Sequence, residues 1–358
     1  MSIFVTKPYL PPREEYLERI SKIFDRGVLT NQGPELLELE SNLKKFLNTE
    51  NFHYVTNGTI AIQLALKAMD IEAGDIITTP FTYVATISSI LWERCNPIFV
   101  DIEPNNFTID PKLIENAITD KTVAILPVHV FGYACDVEEI GKIAKKNGLK
   151  IIYDSAHAFG SSLNGRSLCT FGDISTVSFH ATKLFHTIEG GGICTSDKRI
   201  SQKVDLIKRF GHYGDDHYRL GINAKQDEFN AAMGNSIFPY LDKIIEKRRL
   251  ISEIYDGELK NFLQRPEIQK GLKYNYAYYP VLFDSEEQLK KVFKALASEE
   301  IYPRRYFYPS LNKLPYLKEK TSCPVSEDVA GRIACLPLYP DLSLDEAEKI
   351  INLIIANC

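Results

Sequence analysis

The chain has 358 residues, of which 42 are Lys or Arg and 47 are Asp or Glu, for a formal net charge of −5. A mildly acidic balance gives no general attraction to phosphate backbones or anionic lipid, which argues against a nucleic-acid or membrane-surface protein. With 44% apolar and 25% charged residues, the composition is that of a globular chain. General disorder is excluded, and roughly 100–200 residues per domain suggests two or three folding units.

The opening segment MSIFVTKPYLPPREEYLERI is interrupted by Lys7, Pro8, Pro11 and Pro12 and does not read as a signal peptide. No apolar run reaches the ~18 residues of a membrane span, and a cytoplasmic location is expected. Short apolar, β-branched runs predict strands over 52–56, 75–79, 97–101, 122–127, 150–154, 174–179 and 190–195. Between the earlier ones, helical patterns cover 59–68, 83–93, 111–117 and 137–146. Alternation of this kind implies an α/β fold: a mainly parallel seven-stranded sheet sandwiched by helices, with ligands at the carboxyl ends of its strands.

After Asn223 the pattern changes. Phe229, Met233, Ile237, Leu241, Ile244 and Ile245 recur at three- and four-residue spacing, predicting one long helix toward Tyr255. A smaller α+β unit follows, with strands near 276–283 and 301–306 and helices over 286–296 and 345–356. The expected division is an N-terminal arm and large α/β domain over 1–240, then a small α+β domain over 241–358. Cys95, Cys135, Cys169, Cys194, Cys323, Cys335 and Cys358 are scattered without a CxxC pair. Neither a disulfide framework nor a zinc site is expected from that spacing, and no metal is called for.

The chemistry concentrates between Leu149 and Thr195. LKIIYDSAHAFG is an apolar run ending at Asp154. A carboxylate at the end of a buried strand is costly unless it meets a cation or donors, although an aspartate there also serves as a turn or cap residue. Ser178-Phe-His-Ala-Thr-Lys183 ends the next strand and precedes the run Gly190–Gly192. A lysine in a walled pocket is desolvated and becomes nucleophilic nearer neutral pH. Together these residues suit pyridoxal 5′-phosphate, which needs a lysine for its aldehyde, an acid at its ring nitrogen and a phosphate cradle. Asn57-Gly58-Thr59, between a strand and a helix start, supplies a candidate cradle and is also an ordinary turn and cap sequence.

The chain resembles the DegT-type sugar aminotransferases, pyridoxal-phosphate enzymes of fold type I with an aspartate-aminotransferase-like architecture. The resemblance is carried by LTNQGPELLELE (29–40), TNGTIAIQLAL (56–66), TTPFTYVATISSI (78–90), PVHVFGYACDVEEI (127–140) and DSAHAFGS (154–161). It continues in FGDISTVSFHATKLFHTIEGGGI (171–193), GINAKQDEFNAAMG (221–234) and YPRRYFYPSL (302–311). It implies that Lys183 holds the cofactor and moves the proton, Asp154 pairs with the ring nitrogen and His157 lies within reach of the 3-hydroxyl. Tyr83 sits where an aromatic stacks on the ring. Gly58, Thr59 and Ser178 would hold the phosphate, joined by Asn223 from the partner subunit of a homodimer. His186, Tyr306 and Tyr308 fall near the expected sugar. Arg304 and Arg305 are either diphosphate contacts or a solvated pair.

Within the family, SFHATKLFHTIEGG is most similar to enzymes acting at C4 of a dTDP-4-keto-6-deoxyhexose, whereas enzymes acting at C3 more often carry Pro-Gly in place of Ala181-Thr182. The resemblance thus implies transfer of an amine from L-glutamate to dTDP-4-keto-6-deoxy-D-glucose, giving 2-oxoglutarate and an amino sugar for surface polysaccharides such as O-antigen, or for glycosides. C3 chemistry, or a UDP- or GDP-linked keto-sugar, is the alternative. A sugar 3-dehydratase, with histidine replacing the lysine, and a non-enzymatic regulator both run against Lys183.

Overall fold

The computed structural model describes residues 2–318 and 320–358. It opens with a two-residue strand, β1 (Ile3–Phe4), and two helices, α1 (Arg13–Arg26) and α2 (Pro34–Leu47). Strands and helices then alternate as β2 (Asn51–Val55), α3 (Gly58–Ala68), β3 (Gly74–Thr78), α4 (Val84–Trp92) and β4 (Cys95–Phe99). The series continues with α5 (Pro111–Ala117), β5 (Thr122–Leu126), α6 (Val137–Asn147) and β6 (Lys150–Asp154). Two further strands, β7 (Ile174–Ser178) and β8 (Gly191–Thr195), complete a seven-stranded sheet in the order β2-β8-β7-β6-β5-β3-β4. Neighbouring strands run parallel except at β8, which is antiparallel to both β2 and β7.

All seven predicted strands are present, with their ends moved by a residue or two. Alternate residues of each strand bury against opposite layers. Ile76, Ala124 and Ile152 pack beneath α3, while Ile77, Ile125 and Tyr153 pack beneath α6. A sheet covered on both faces has no wet side, which is why its strands are continuous apolar runs rather than alternating ones.

The chain continues through α7 (Lys198–Ile207), α8 (Glu228–Ile237) and α9 (Leu241–Leu259). The single long helix predicted from Phe229 to Tyr255 is therefore two helices joined by a 3₁₀ turn at Phe238–Tyr240. Pro239 is the cause: it has no N–H to donate, and its ring crowds the carbonyl four residues back.

The smaller unit comprises β9 (Tyr279–Leu282), α10 (Glu286–Ser298), β10 (Ile301–Tyr302), α11 (Pro324–Arg332), β11 (Ile333–Leu336) and α12 (Leu344–Asn357). Strand β9 pairs antiparallel with β11. The strand predicted over 301–306 shortens to β10, which pairs in parallel with β1. This unit thus takes one strand from the start of the chain, and Ile3 joins Ile251, Tyr255, Val281 and Ile350 in its core. Helices α1, α2, α7 and α11 and strand β11 were not among the predicted elements.

Two glycines set the distance between α3 and the sheet. A Cβ on Gly58 would lie 2.9 Å from Ser178 Cβ, and one on Gly191 would lie 2.4 Å from the Asn57 carbonyl. The start of α3 can therefore press against the ends of β7 and β8. Gly191→Ala should cost about 1–3 kcal/mol or more by overpacking. By contrast Gly141→Ala, inside α6 with nothing near its missing Cβ, should stabilise by about 0.5–1 kcal/mol. Urea denaturation of the two variants should show shifts of opposite sign.

Candidate active site

The carboxyl ends of β2, β6 and β7 converge on a cavity of about 620 Å³. Gly58, Thr59, Tyr83, Asp154, His157, Ser178, Lys183 and Tyr306 all line it. The sequence had separated these residues by up to 248 positions; the topology gathers most of them because the parallel strands deliver their last residues to the same edge of the sheet.

At one wall, Asn57 caps α3 by accepting from the Ile60 N–H at 2.9 Å. The Ala61 N–H bonds to the Asn57 carbonyl. The N–H groups of Gly58 and Thr59 find no acceptor among the described residues, so two donors and the positive end of the helix dipole point at one place. The Ser178 hydroxyl stands beside them. Such an arrangement suits an anion such as a phosphate.

Asp154, on the same cavity, is buried, 5% exposed. Its Oδ2 accepts from the Thr86 hydroxyl at 2.8 Å and its Oδ1 from the Ala156 N–H at 3.0 Å. Burial raises its carboxyl above the usual range, opposed by those two donors and by Lys183. Thr82 extends the chain of hydroxyls to Thr86 at 2.9 Å. Sequence reasoning missed Thr86, since a hydroxyl in the first turn of an apolar helix carries no motif.

Lys183 is half-buried, and desolvation brings its amine from 10.5 down to about 8, against the pull of Asp154. The amine donates to the Tyr278 hydroxyl at 3.3 Å. His157 Nδ1 accepts from the Phe131 N–H at 3.1 Å, so in the neutral ring Nε2 carries the hydrogen and is the free donor. Burial depresses the His157 pKa well below its ordinary value and keeps the ring neutral. Tyr83 is 52% exposed at the cavity edge, with an open ring face.

Some expected residues lie elsewhere. His186 is buried away from the cavity; its Nε2 bonds the Tyr9 carbonyl at 2.8 Å, and its Nδ1 accepts from the Ile188 N–H at 3.2 Å. The loop after Lys183 turns inward, burying Leu184 and Phe185, and His186 follows them. Tyr308 is exposed outside the cavity and lies under the Arg305 guanidinium at 3.5 Å. Arg305 itself bonds Glu286 at 3.0 Å and the Gly331 carbonyl at 2.7 Å, a structural role. Arg304 lines the cavity. Asn223 is exposed and outside it, its backbone bridged to Arg209. The seven cysteines are free and six of them are buried. Among the described residues no group of three or more His, Cys, Asp or Glu is placed to hold a metal ion, and no helix is long and apolar enough to cross a membrane.

A mainly parallel sheet with a lysine, a buried carboxylate and a helix N-terminus around one cavity at its carboxyl edge is the architecture of fold type I pyridoxal-phosphate enzymes. The chain belongs to the DegT/DnrJ/EryC1/StrS aminotransferase family, whose model matches residues 12–355. It is 39% identical to a dTDP-4-amino-4,6-dideoxy-D-glucose transaminase of Shigella dysenteriae, over 98% of each chain. Among solved structures, DesI in the presence of its TDP-sugar product superposes with a TM-score of 0.94 at 27% identity, covering 99% of this chain and 92% of that one. NtdA of Bacillus subtilis, with bound cofactor PMP, gives 0.88 at 27% identity, covering 96% and 81%.

The depressed lysine has a measurable consequence. Labelling of Lys183 in cofactor-free protein by an amine-selective reagent, read by peptide mass spectrometry, should rise with a midpoint near pH 8 rather than 10.5. In that window the unfolded chain binds more protons than the native one, so this group makes stability increase as pH rises from about 8 toward 10.5. A midpoint above 10 would refute the desolvated environment.

Proposed function

We propose that the protein transfers the amino group of L-glutamate to dTDP-4-keto-6-deoxy-D-glucose, releasing 2-oxoglutarate and dTDP-4-amino-4,6-dideoxy-D-glucose. The observation that carries the chemistry is that Lys183 and Asp154 open into one cavity beside the free N–H groups of Gly58 and Thr59. The sugar is favoured by the 39%-identical Shigella dysenteriae relative.

The residues fit pyridoxal 5′-phosphate: an anion cradle, a buried acid and an amine line one cavity. When bound, that cofactor supplies an electron sink that makes the substrate's carbon–hydrogen bond acidic. Gly58, Thr59 and Ser178 would hold the phosphate, and Asn223 of a partner subunit would complete the cradle in a homodimer. Asp154, its geometry fixed by Thr86 and Ala156, would accept a hydrogen bond from the protonated ring nitrogen and keep that nitrogen charged. The His157 Nε2–H would donate to the 3-oxygen. Tyr83 offers its open face to the ring. Lys183, neutral above about pH 8, would take the proton from the glutamate α-carbon and return it to the sugar carbon. Phe307 lines the cavity, and Phe131 stacks on it at 5.9 Å, an apolar backing that excludes water. Tyr306 reaches it from the smaller unit.

Purified protein incubated with the cofactor should show a visible absorption band that glutamate bleaches, and borohydride should fix the cofactor to Lys183. Lys183→Ala should abolish turnover. Asp154→Asn should lower it about a hundredfold or more while the fold is kept. A panel of 3-keto and 4-keto sugars linked to dTDP, UDP or GDP, with products read by mass and NMR, tests the acceptor; turnover of only a 3-keto sugar would refute the C4 assignment.

A further inference from the structure

We infer that Tyr278 is the positioning residue for the free Lys183 amine: its hydroxyl holds the nitrogen by one hydrogen bond at the wall of the cavity. The inference rests on the cofactor chemistry proposed for this site. Among the described residues, the Tyr278 hydroxyl is the one group to which the Lys183 amine is hydrogen-bonded, at 3.3 Å. Among the described residues no carboxylate is paired with that amine, and Asp154 acts on it only through its charge. Burial pushes the Tyr278 phenol up from 10.0, so it faces the amine as a neutral acceptor.

What marks Tyr278 out is how firmly it is held. Its carbonyl accepts from the Tyr274 hydroxyl at 2.9 Å. The Ala277 carbonyl before it accepts from Arg248 at 3.0 Å, and the Ala277 N–H donates to Asn275 at 3.0 Å. Asn275 in turn donates to the His157 and Phe159 carbonyls, both at 2.8 Å, which ties this segment to the loop that follows Asp154. A Cβ on Gly132 would lie 2.6 Å from Asn275 Oδ1, so a glycine leaves room for the tie. Arg248, 2% exposed and without a carboxylate partner among the described residues, gives its Nη1 to this anchoring and to the Leu338 carbonyl. The Tyr278 ring lies 4.6 Å from His157.

Lys183 is free whenever the cofactor carries the amino group being transferred and is not joined to the lysine. A four-carbon stem is flexible, and orientation of a reacting group is worth orders of magnitude in rate. A hydroxyl carried on a segment anchored by buried donors restores that orientation.

The test compares cofactor uptake by cofactor-free wild type and Tyr278→Phe. With pyridoxal phosphate, Lys183 forms a C=N bond to the aldehyde carbon, and the aldehyde oxygen leaves as water with the amine's two hydrogens; growth of the visible band reports the step. Pyridoxamine phosphate makes no bond to Lys183, and its binding is measured by calorimetry. Tyr278→Phe should slow band growth about tenfold, the equivalent of one hydrogen bond, with pyridoxamine phosphate affinity unchanged within about twofold. Tyr274→Phe, which loosens Tyr278 from behind, should give the same split at about two- to fivefold, and it carries the test if Tyr278→Phe does not fold. Equal loss for both ligands would make Tyr278 a shape residue only, and no change in either would remove it from the mechanism; both overturn the inference. A wild type that forms no band overturns the proposed function, and the inference with it.

Discussion

The structure depends on taking two opposite ionisable groups out of water at the same place. Burial drives the Lys183 amine toward neutrality and the Asp154 carboxyl toward protonation, while each supports the other's charge. Isolated, either would be an expensive buried charge. Asp154 is made tolerable by the Thr86 hydroxyl and the Ala156 N–H, and Lys183 by the Tyr278 hydroxyl. Parallel strands bring this about: β6 ends on the acid, and β7 leads into the loop that carries the lysine.

Around that pair, the remaining walls come from distant parts of the chain. Phe131, His157 and Phe307 lie nearly parallel to one another, with Phe307 contributed from beyond β10. Such a wall of rings lowers the local dielectric and strengthens each polar contact inside it. The two units are also joined by hydrogen bonds: Asp101, beyond the end of β4, accepts from the Val325 and Ser326 N–H groups of α11 at 2.8 Å. The cavity is therefore a product of both units, although its charged pair belongs to one.

The sheet was legible in the sequence because strands covered on both faces must be continuously apolar, and such runs stand out. The acid, the lysine and the cradle were legible because each follows a strand and matches a family motif. Other features had no such signal. Helices α1 and α2 carry many charges, and α7 has only four strongly apolar residues in its ten. Pro239 was masked by an otherwise regular apolar spacing. Tyr278 sits in an aromatic-rich segment, YNYAYYP, in which no periodicity singles out one hydroxyl. His186 failed for the converse reason: nearness to Lys183 along the chain says nothing about which way a loop turns its side chains.

The parallel pairing of Ile3 with Ile301 has a bearing on synthesis. The partner of the first strand is translated only after the whole large sheet has left the ribosome, and the core that receives Ile3 waits for α12. Until then the leading segment, whose Tyr9 carbonyl meets His186 just past the lysine, lacks the dock at its outer end. Closure of the two units onto a common edge is in this sense a late event, governed by contacts of very high sequence separation.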